Sequence, residues 1–502
     1  MIEPASETIS ESRALRLALA VVAAATVLRL VAIFLTPLQL YPDEAQYWLW
    51  SRDLAWGYAS KPPVIAWLIW ATTAVGGNAE AWVRLSAPFM HAIAALALFG
   101  AGRRLYGAGA GLLACVLWTL MPAVQVSSLF IATDAPLMAC LCLALWAYAD
   151  MLTGGGRKAA LGLGLALGLG FLAKYAVLFF LGGLALHALV DREARRAWAG
   201  WNWAVALAAF AVLIAPNLIW NATHHFAAAT HVTKVNVQVG AHVQRFNPGK
   251  FLEFVLGQFG VMGPVPFGVL IAGVALIIRR RSIDARDRML LCFLIPPVLI
   301  VTAESFLSRA HAHWAAAGYT AGVVLAAAWL VRWRARGWTV AALAIQGVVA
   351  LAFVLVVAAP QIGDSLGFAR RFNRIRGWDQ VAATVGRAVQ AQPGLTAVGV
   401  DDRYMFNEIA YYGRDWLGRP GAPPLRMRPP LGPALNEAEL SSPLRPEEGA
   451  RVLVAEDLSK PAGLVNDFQS FLPLGHTRIA LDGKHPRIIG LYLAEGFRGR
   501  QP

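Results

Sequence analysis

Long apolar segments separated by short polar loops dominate the first 360 residues of the chain. A helix needs about 20 mostly apolar residues to cross the hydrocarbon core of a bilayer. The pattern predicts candidate spans at residues 14–36, 82–102, 109–128, 134–152, 159–173, 175–190, 201–220, 251–278, 289–305, 314–331 and 338–359. The apolar segment 64–75 is too short to span, so we expect it to dip into the membrane interface or to lie on it.

The distribution of basic residues gives an orientation for these spans. They occur in alternate loops, at Arg103–Arg104, Arg157–Lys158, Arg192–Arg196, Arg279–Arg288 and Arg332–Arg336. The positive-inside rule makes such loops cytoplasmic. It predicts a cytoplasmic N-terminus, and it places residues 41–81, 221–250, 306–313 and everything after Pro360 outside the cytoplasm.

The composition agrees with an α-helical polytopic membrane protein. Of the 502 residues, 57% are hydrophobic and 15% are charged, whereas soluble domains carry about 25% charged residues. A formal net charge of +14 would indicate a nucleic-acid partner in a soluble protein. Here many of the basic residues belong to the loop pattern, so we expect membrane lipids and no nucleic acid as partners.

The pattern changes after Pro360. Strand-like segments at Thr396–Val400, Arg451–Val454 and Ile488–Leu493 alternate with polar and proline-rich stretches, and Asp379–Val389 has a helical pattern. The sequence therefore predicts two domains. Residues 1–359 form a membrane domain of about 11–13 spans with an outer loop at 37–81, and residues 360–502 form a small extracytoplasmic α/β domain.

The outer loop contains the most informative stretch, YPDEAQYWLWSRDLAWGYASKPP, at residues 41–63. Asp43 and Glu44 stand among Trp and Tyr residues, which favour the membrane–water interface. A carboxylate there can act as a general base on an attacking hydroxyl. The alternative is that the pair caps a short helix. On a helix the two side chains diverge by about 100°, so only one can point at a given group.

Two further groups are candidates for binding or catalysis. Lys61 precedes Pro62 and Pro63, which stiffen the backbone. A lysine held in this way suits a lipid-borne phosphate, and the alternative is an ordinary interfacial lysine. Asp134 opens a predicted span on the same face as Asp43, either as a helix cap or as a supporting charge.

Histidines and an arginine occupy the later outer loops. Arg309, His311 and His313 form one cluster, which could add positive charge near a phosphate. His224, His225 and His231 form another, but their spacing does not match a common set of metal ligands. We therefore expect no cofactor and assign no metal site. Walker-type, GxSxG and cytoplasmic D-x-D motifs are absent from the sequence.

Three stretches carry a family resemblance: DEAQYW after the first span, then GYASKPP, then FIATDAP at the start of a later span. They resemble membrane glycosyltransferases of the GT-C fold, of the family-39/83 type. This type includes bacterial lipid A aminoarabinose and galacturonic acid transferases and protein O-mannosyltransferases. The chain differs from the aminoarabinose transferases at Gln46, where they tend to have arginine, and at Ser60, where they tend to have glutamate.

The resemblance implies a bacterial multi-pass enzyme of the cell inner membrane that transfers a sugar from a polyprenyl phosphate to a periplasmic acceptor. Lipid A, another glycolipid or polysaccharide, and protein hydroxyls all remain open as acceptors. Asp43, with its neighbour Glu44, matches the catalytic acid. Lys61 and Tyr58 match groups near the donor phosphate.

The expected reaction is an inverting displacement in which Asp43 takes the acceptor proton and Lys61, aided by Arg309, stabilises the leaving phosphate. Asp134, His231 and His313 are possible supporting residues. The alternative function is a transporter or flippase for a lipid-linked substrate. That function predicts ionisable and helix-breaking residues near the middle of the bilayer, and the polar groups of this chain gather in the outer loops instead.

Overall fold

The computed structural model describes residues 9–224, 226, 247–307, 310–459, 463–482 and 485–501. The chain divides into two compact units. The first comprises the described residues within 1–34, 84–219 and 235–355. The second comprises those within 35–83, 220–234 and 356–502, so it joins the loop 37–81 to the C-terminal region.

The first unit is helical throughout its described part. Its α-helices are Glu11–Leu35, Ser86–Tyr106, Ala108–Leu120, Pro122–Leu129, Asp134–Leu152, Gly156–Ala173, Leu178–Val190, Arg192–Ala197, Asn202–Thr223, Pro248–Met262, Pro264–Arg280, Ala285–Leu307, Ala316–Arg332 and Arg336–Ala358. The last residues of Glu11–Leu35, Asn202–Thr223 and Arg336–Ala358 belong to the second unit. Short 3₁₀ turns at Tyr175–Val177 and Ala312–Ala315 precede two of them.

Eight helices among the described residues are long and apolar enough to cross a membrane, and the number rises to ten if two bent pairs each count as one span. The bent pairs are Ala108–Leu120 with Pro122–Leu129, at 58°, and Pro248–Met262 with Pro264–Arg280, at 114°. The stretch Tyr175–Val190 is a shorter apolar helix. The predicted multi-span helical fold is confirmed, but 251–278 is two helices rather than one straight span. Proline at the start of each second helix explains both breaks, because it lacks the amide hydrogen that would continue the first.

Small residues bring neighbouring helices close together in this unit. A Cβ built on Gly102 would lie 2.8 Å from the Cα of Gly111, and one built on Gly111 would lie 2.6 Å from the carbonyl oxygen of Phe99. Such contacts are typical of helix pairs in membranes, where packing between closely spaced backbones replaces the hydrophobic effect in stabilising helix association. Apolar side chains face outward on the helix Arg336–Ala358, where only 22% of the apolar 18-residue segment is buried. That exposure fits contact with lipid.

The second unit surrounds a five-stranded sheet. Its helices and 3₁₀ turns are Pro42–Trp50, Val64–Gly76, Glu80–Arg84, Pro360–Ser365, Ala369–Ile375, Trp378–Ala391, Arg403–Tyr412, Arg414–Leu417, Glu437–Ser441, Pro446–Glu448 and Leu464–Asp467. The strands are β1 (Ala397–Val400), β2 (Leu425–Met427), β3 (Arg451–Asp457), β4 (Phe468–Ala480) and β5 (Pro486–Phe497). Their order in the sheet is β2-β1-β3-β5-β4.

Parallel and antiparallel halves meet in this sheet. Strands β1, β2 and β3 are parallel, with Val398 opposite both Leu425 and Leu453, while β5 runs antiparallel to β3 and β4. The buried side chains of Val381, Val398 and Ile409 belong to one core that joins the sheet to its helices. Leu49 of the first outer loop packs against the same core, so the loop is part of this unit's hydrophobic interior.

Charged side chains stand where the three parallel strands end. Arg428 follows β2 and donates two hydrogen bonds to Asp467, at 2.6 and 3.0 Å. Asp401 follows β1, and Glu456 lies near the end of β3 with only 2% of its surface exposed. Burial, followed by the charge of Asp401, raises the pKa of Glu456 to about 7. Burial and Asp402 also raise the pKa of Asp401. This edge of the sheet therefore contains two acids that resist ionisation.

Candidate active site

The helix Pro42–Trp50 presents the two predicted acids in different ways. Pro42 occupies the first helical position, where a missing amide hydrogen costs nothing. The Glu44 carboxylate turns back and accepts the backbone N–H of Tyr41 at 2.8 Å, and Glu44 is only 1% exposed. This contact satisfies a donor at the helix start, as a capping glutamate does. Glu44 is thus a structural residue by its contacts, and its predicted catalytic role stays a prediction.

Asp43 is the accessible member of the pair. Its side chain is 39% exposed, and Oδ1 lies 3.4 Å from Nη2 of Arg403. The same Nη2 donates to the hydroxyl of Tyr404 at 3.2 Å, and the guanidinium lies over the Tyr404 ring, 4.7 Å from its centre. A carboxylate with this exposure can accept a proton from a bound hydroxyl.

Two arginines keep their positive charge beside Asp43. Burial lowers the pKa of Arg403, but the charge of Asp43 and the hydrogen bond to Tyr404 outweigh burial, and the pKa rises above its ordinary value. The hydrogen bond from Arg374 to the Tyr41 hydroxyl, 2.8 Å long, raises the pKa of Arg374. Asp43 also contributes to that rise. The surroundings of Asp43 are therefore cationic.

Tyr58 is a buried residue that shapes the loop before Lys61. Its ring stacks on Trp50 with centres 4.7 Å apart and planes 5° apart. Its hydroxyl lies 2.9 Å from the carbonyl oxygen of Trp50 and 3.0 Å from that of Asp53, and it accepts the amide of Ala55 at 3.2 Å. Burial raises its pKa to about 12. These contacts engage the hydroxyl with backbone groups, so the predicted phosphate contact of Tyr58 stays a prediction.

A carboxylate from the C-terminal region holds the turn that carries Lys61. The backbone N–H of Tyr58 donates to the carbonyl of Lys61 at 3.0 Å and closes the turn. The backbone N–H of Ala59 donates to Oε2 of Glu437 at 2.7 Å. Burial raises the pKa of Glu437. The position of Lys61 therefore depends on a residue more than 370 positions later in the chain.

A cavity of about 680 Å³ opens beside Tyr58 within the second unit. Arg52, Trp220, His224 and Glu437 are among the residues that line it. The Trp220 and His224 rings stack with centres 4.1 Å apart. Aromatic faces and hydrogen-bonding groups together are suited to an organic ligand with both apolar and polar surfaces.

The first unit contains a separate polar cluster around Asp134. The Lys174 ammonium donates to both carboxylate oxygens of Asp134, at 2.8 and 3.0 Å. Asp134 lies in the first turn of its helix, where the helix dipole favours an acid. His313 is within electrostatic reach of both charges, and its ring stacks on His311 at 5.6 Å. Asp134 and His313 thus interact electrostatically, and their supporting roles stay predictions.

Three predicted residues, His225, His231 and Arg309, lie outside the described residues. Within the described ranges no group of three or more His, Cys, Asp or Glu side chains could hold a metal ion. Arg403, Arg374 and Glu437 are not among the residues that the sequence predicts for the site. They lie more than 300 positions from the loop they contact, and their own surroundings contain no motif that points to it.

Comparison with known proteins identifies the family of this chain. Residues 60–220 match the family described as dolichyl-phosphate-mannose-protein mannosyltransferase. The lipid A galacturonosyltransferase RgtD of Rhizobium johnstonii is 35% identical over 408 residues, which are 80% of this chain and 83% of the relative.

Solved structures show the same fold. The crystal structure of ArnT from Cupriavidus metallidurans bound to undecaprenyl phosphate superposes with a TM-score of 0.65 at 18% identity, and its apo state with 0.63 at 17%. In both cases the match covers 94% of this chain and 97% of ArnT. The protein is an enzyme, and it belongs to the GT-C-fold family of membrane glycosyltransferases that includes the lipid A galacturonosyltransferase RgtD.

Proposed function

We propose that the protein transfers a galacturonosyl residue from a polyprenyl phosphate to lipid A at the periplasmic face of the bacterial inner membrane. One observation carries the choice of substrates: the 35% identity to a lipid A galacturonosyltransferase extends over 80% of the chain. The likeness to ArnT, whose structure holds undecaprenyl phosphate, is in keeping with a polyprenyl phosphate carrier. The basic loops support a cytoplasmic N-terminus and an active site on the opposite face.

The proposed reaction is one displacement at the anomeric carbon. A lipid A hydroxyl attacks that carbon, and a new carbon–oxygen bond forms as the bond to the phosphate oxygen breaks. Asp43 takes the hydroxyl proton, and the bonding electron pair leaves with the polyprenyl phosphate. Attack from the face opposite the leaving group inverts the configuration. Asp43 suits the role of base because its carboxylate is exposed, whereas the neighbouring Glu44 is buried in a backbone contact.

The leaving phosphate gains charge, so it needs fixed cations more than it needs a proton donor. Lys61 lies in a turn that Glu437 and the Tyr58 backbone hold in place, which supports a positioned cation. Arg309, His231 and His313 remain proposed contributors from the later outer loops. Asp134 is proposed to act by holding Lys174. Glu44 and Tyr58 are proposed to keep the loop in shape.

Reconstitution tests this function directly. The purified protein in vesicles is supplied with galacturonosyl polyprenyl phosphate and lipid A, and the product is followed by mass spectrometry. We expect one uronosyl group to be added per acceptor hydroxyl used. NMR should show that the anomeric configuration of the new glycosidic bond is inverted relative to the donor. Mass spectra of lipid A, surface glycans and envelope proteins from cells with and without the gene identify the acceptor. A change confined to proteins would refute lipid A as the acceptor.

A further inference from the structure

We infer that Arg403 and Arg374 form an anion-binding subsite beside Asp43, and that it recognises the carboxylate of the transferred sugar. This inference rests on the proposed function and deepens it, because it names the part of the sugar that the enzyme selects. The subsite is built within the second unit from Arg374, Arg403, Tyr41 and Tyr404.

Arg403 has hydrogen-bonding capacity to spare. A guanidinium carries five N–H groups, and the contacts of Arg403 with Asp43 and Tyr404 both use Nη2, at 3.4 and 3.2 Å. Among the described residues, its Nε and Nη1 groups have no hydrogen-bond partner. Its side chain is 34% exposed, so part of the guanidinium group's surroundings is open to a ligand.

Other arginines of the same unit form closer ion pairs, with two hydrogen bonds to one carboxylate. Arg426 donates Nε to both oxygens of Glu448 at 2.8 Å, and Arg428 donates two short bonds to Asp467. Against these, the single 3.4 Å contact of Arg403 with Asp43 is loose. A planar carboxylate could therefore take a bidentate contact from Arg403 without displacing a strong partner.

Arg374 adds a second positive charge within electrostatic range of Asp43. It is exposed, and Nη1 is engaged by the Tyr41 hydroxyl, while its charge is felt by Asp43 and Tyr404. The ring of Tyr404 supports the Arg403 guanidinium from one face. Asp43 supplies one negative charge to this pair of cations. A neutral hexose adds none, whereas the carboxylate of a uronic acid supplies a second.

The same chemistry could come from a phosphate on the acceptor, and the test separates the two sources. The full-length protein in vesicles is assayed with galacturonosyl and with galactosyl polyprenyl phosphate, on lipid A with and without its phosphates. The variants are Arg403→Gln, Arg374→Gln and Arg403→Lys. Arg370→Gln is the matched control, because Arg370 is an exposed arginine on the same 3₁₀ turn as Arg374.

We expect Arg403→Gln to lower kcat/KM for the galacturonosyl donor about 10–100-fold, the usual value of a charge-assisted hydrogen bond, with little change for the galactosyl donor. Arg374→Gln should have a smaller effect in the same direction. Arg403→Lys should restore only part of the selectivity, because lysine lacks the planar fork. Arg370→Gln should match the wild type.

Two other results would overturn the subsite. A loss seen only on phosphorylated lipid A, whichever donor is used, would assign the anion to the acceptor. An equal loss with both donors on all acceptors would show that Arg403 only positions Asp43. Both results leave the proposed function standing, since the wild-type protein still transfers sugar. A wild-type protein inactive with every donor would refute the proposed function and the subsite together.

Discussion

The carboxylate of Glu437 accepts the backbone amide of Ala59 at 2.7 Å, two residues before Lys61. The helix Glu437–Ser441 thereby fixes the turn that precedes Pro62 and Pro63. Because the amide is held from one side and the prolines stiffen the other, Lys61 has little backbone freedom left. The C-terminal region therefore contributes directly to the geometry of the first outer loop.

Removing this contact should weaken donor binding. We expect Glu437→Ala to raise the donor KM several-fold with a smaller effect on kcat, because it leaves a buried amide without its acceptor, at a cost of about 1–3 kcal/mol. Glu437→Gln is the control, since its amide oxygen can still accept the bond. Steady-state kinetics on the reconstituted protein measure both variants. Equal KM values for Glu437→Ala and the wild type would contradict the role of Glu437.

The two adjacent acids should separate in a matched pair of variants. Asp43→Asn should reduce kcat by about 10²–10⁴-fold, the usual contribution of a general base, while the melting temperature stays near that of the wild type. Glu44→Gln should keep most activity, because glutamine can still accept the Tyr41 amide. The reverse ranking of the two variants would assign the base to Glu44.

Lys61→Ala should impair use of the phosphate-linked donor. We expect kcat/KM for the donor to fall about 10–100-fold through loss of a charged contact, with the acceptor KM unchanged. Arg478→Ala, which removes an exposed positive charge on β4, is the control. If the two variants show the same donor kinetics, Lys61 does not contact the phosphate.

The Asp134–Lys174 pair allows a double-mutant cycle. Asp134→Asn and Lys174→Gln should each lower the thermal stability, because each leaves a partly buried partner behind. The double variant should lose less than the sum of the two. Activity measured on the same variants tests whether Asp134 does more than hold Lys174. If holding Lys174 is its whole role, the variants should lose activity in the same order as they lose thermal stability.

Stability should fall as the pH rises towards 7 because of Glu456. Burial raises its pKa to about 7 from an ordinary 4.5, so Glu456 binds its proton more tightly in the folded protein than in the unfolded chain. The neutral carboxyl contributes at most about 3 kcal/mol to the free energy of unfolding. This contribution is complete below pH 4.5 and is lost as the pH rises through 7. Glu456→Gln should therefore raise the melting temperature at pH 8 and flatten its pH dependence. An unchanged slope between pH 5 and 8 would contradict the assignment.

The sequence predicts the parts of this fold that depend on local pattern. Each predicted span corresponds to a helix or a bent helix pair, because a long apolar segment must satisfy its own backbone hydrogen bonds to cross the bilayer. Tyr175–Val190 is a shorter apolar helix. The predicted segments Asp379–Val389, Arg451–Val454 and Ile488–Leu493 lie within observed elements. The short strand β2 and the long strand β4 were not predicted. β4 has exposed side chains along most of its length, so it lacks the apolar signal of a buried strand.

Only part of the candidate site could be predicted from the sequence. Asp43 and Lys61 could be identified because they share one short, unusual loop. Arg403 and Glu437 could not, since their contacts depend on how the C-terminal region packs on that loop. Glu44 shows the opposite case. The pattern of residues did not decide which of the two adjacent acids is accessible, and the backbone contact and burial of Glu44 distinguish it from the exposed Asp43.

The long separation along the chain between Ala59 and Glu437 has a consequence for how the enzyme is made. Ribosomes add about 5–20 residues per second, so the 378 positions between the two partners correspond to roughly 20–75 s of synthesis. During that interval the loop 37–81 has been translated, but the carboxylate that steadies it has not. The turn that carries Lys61 can therefore reach its final shape only after Glu437 has been made, and a chain terminated before that residue would lack the contact that fixes the turn.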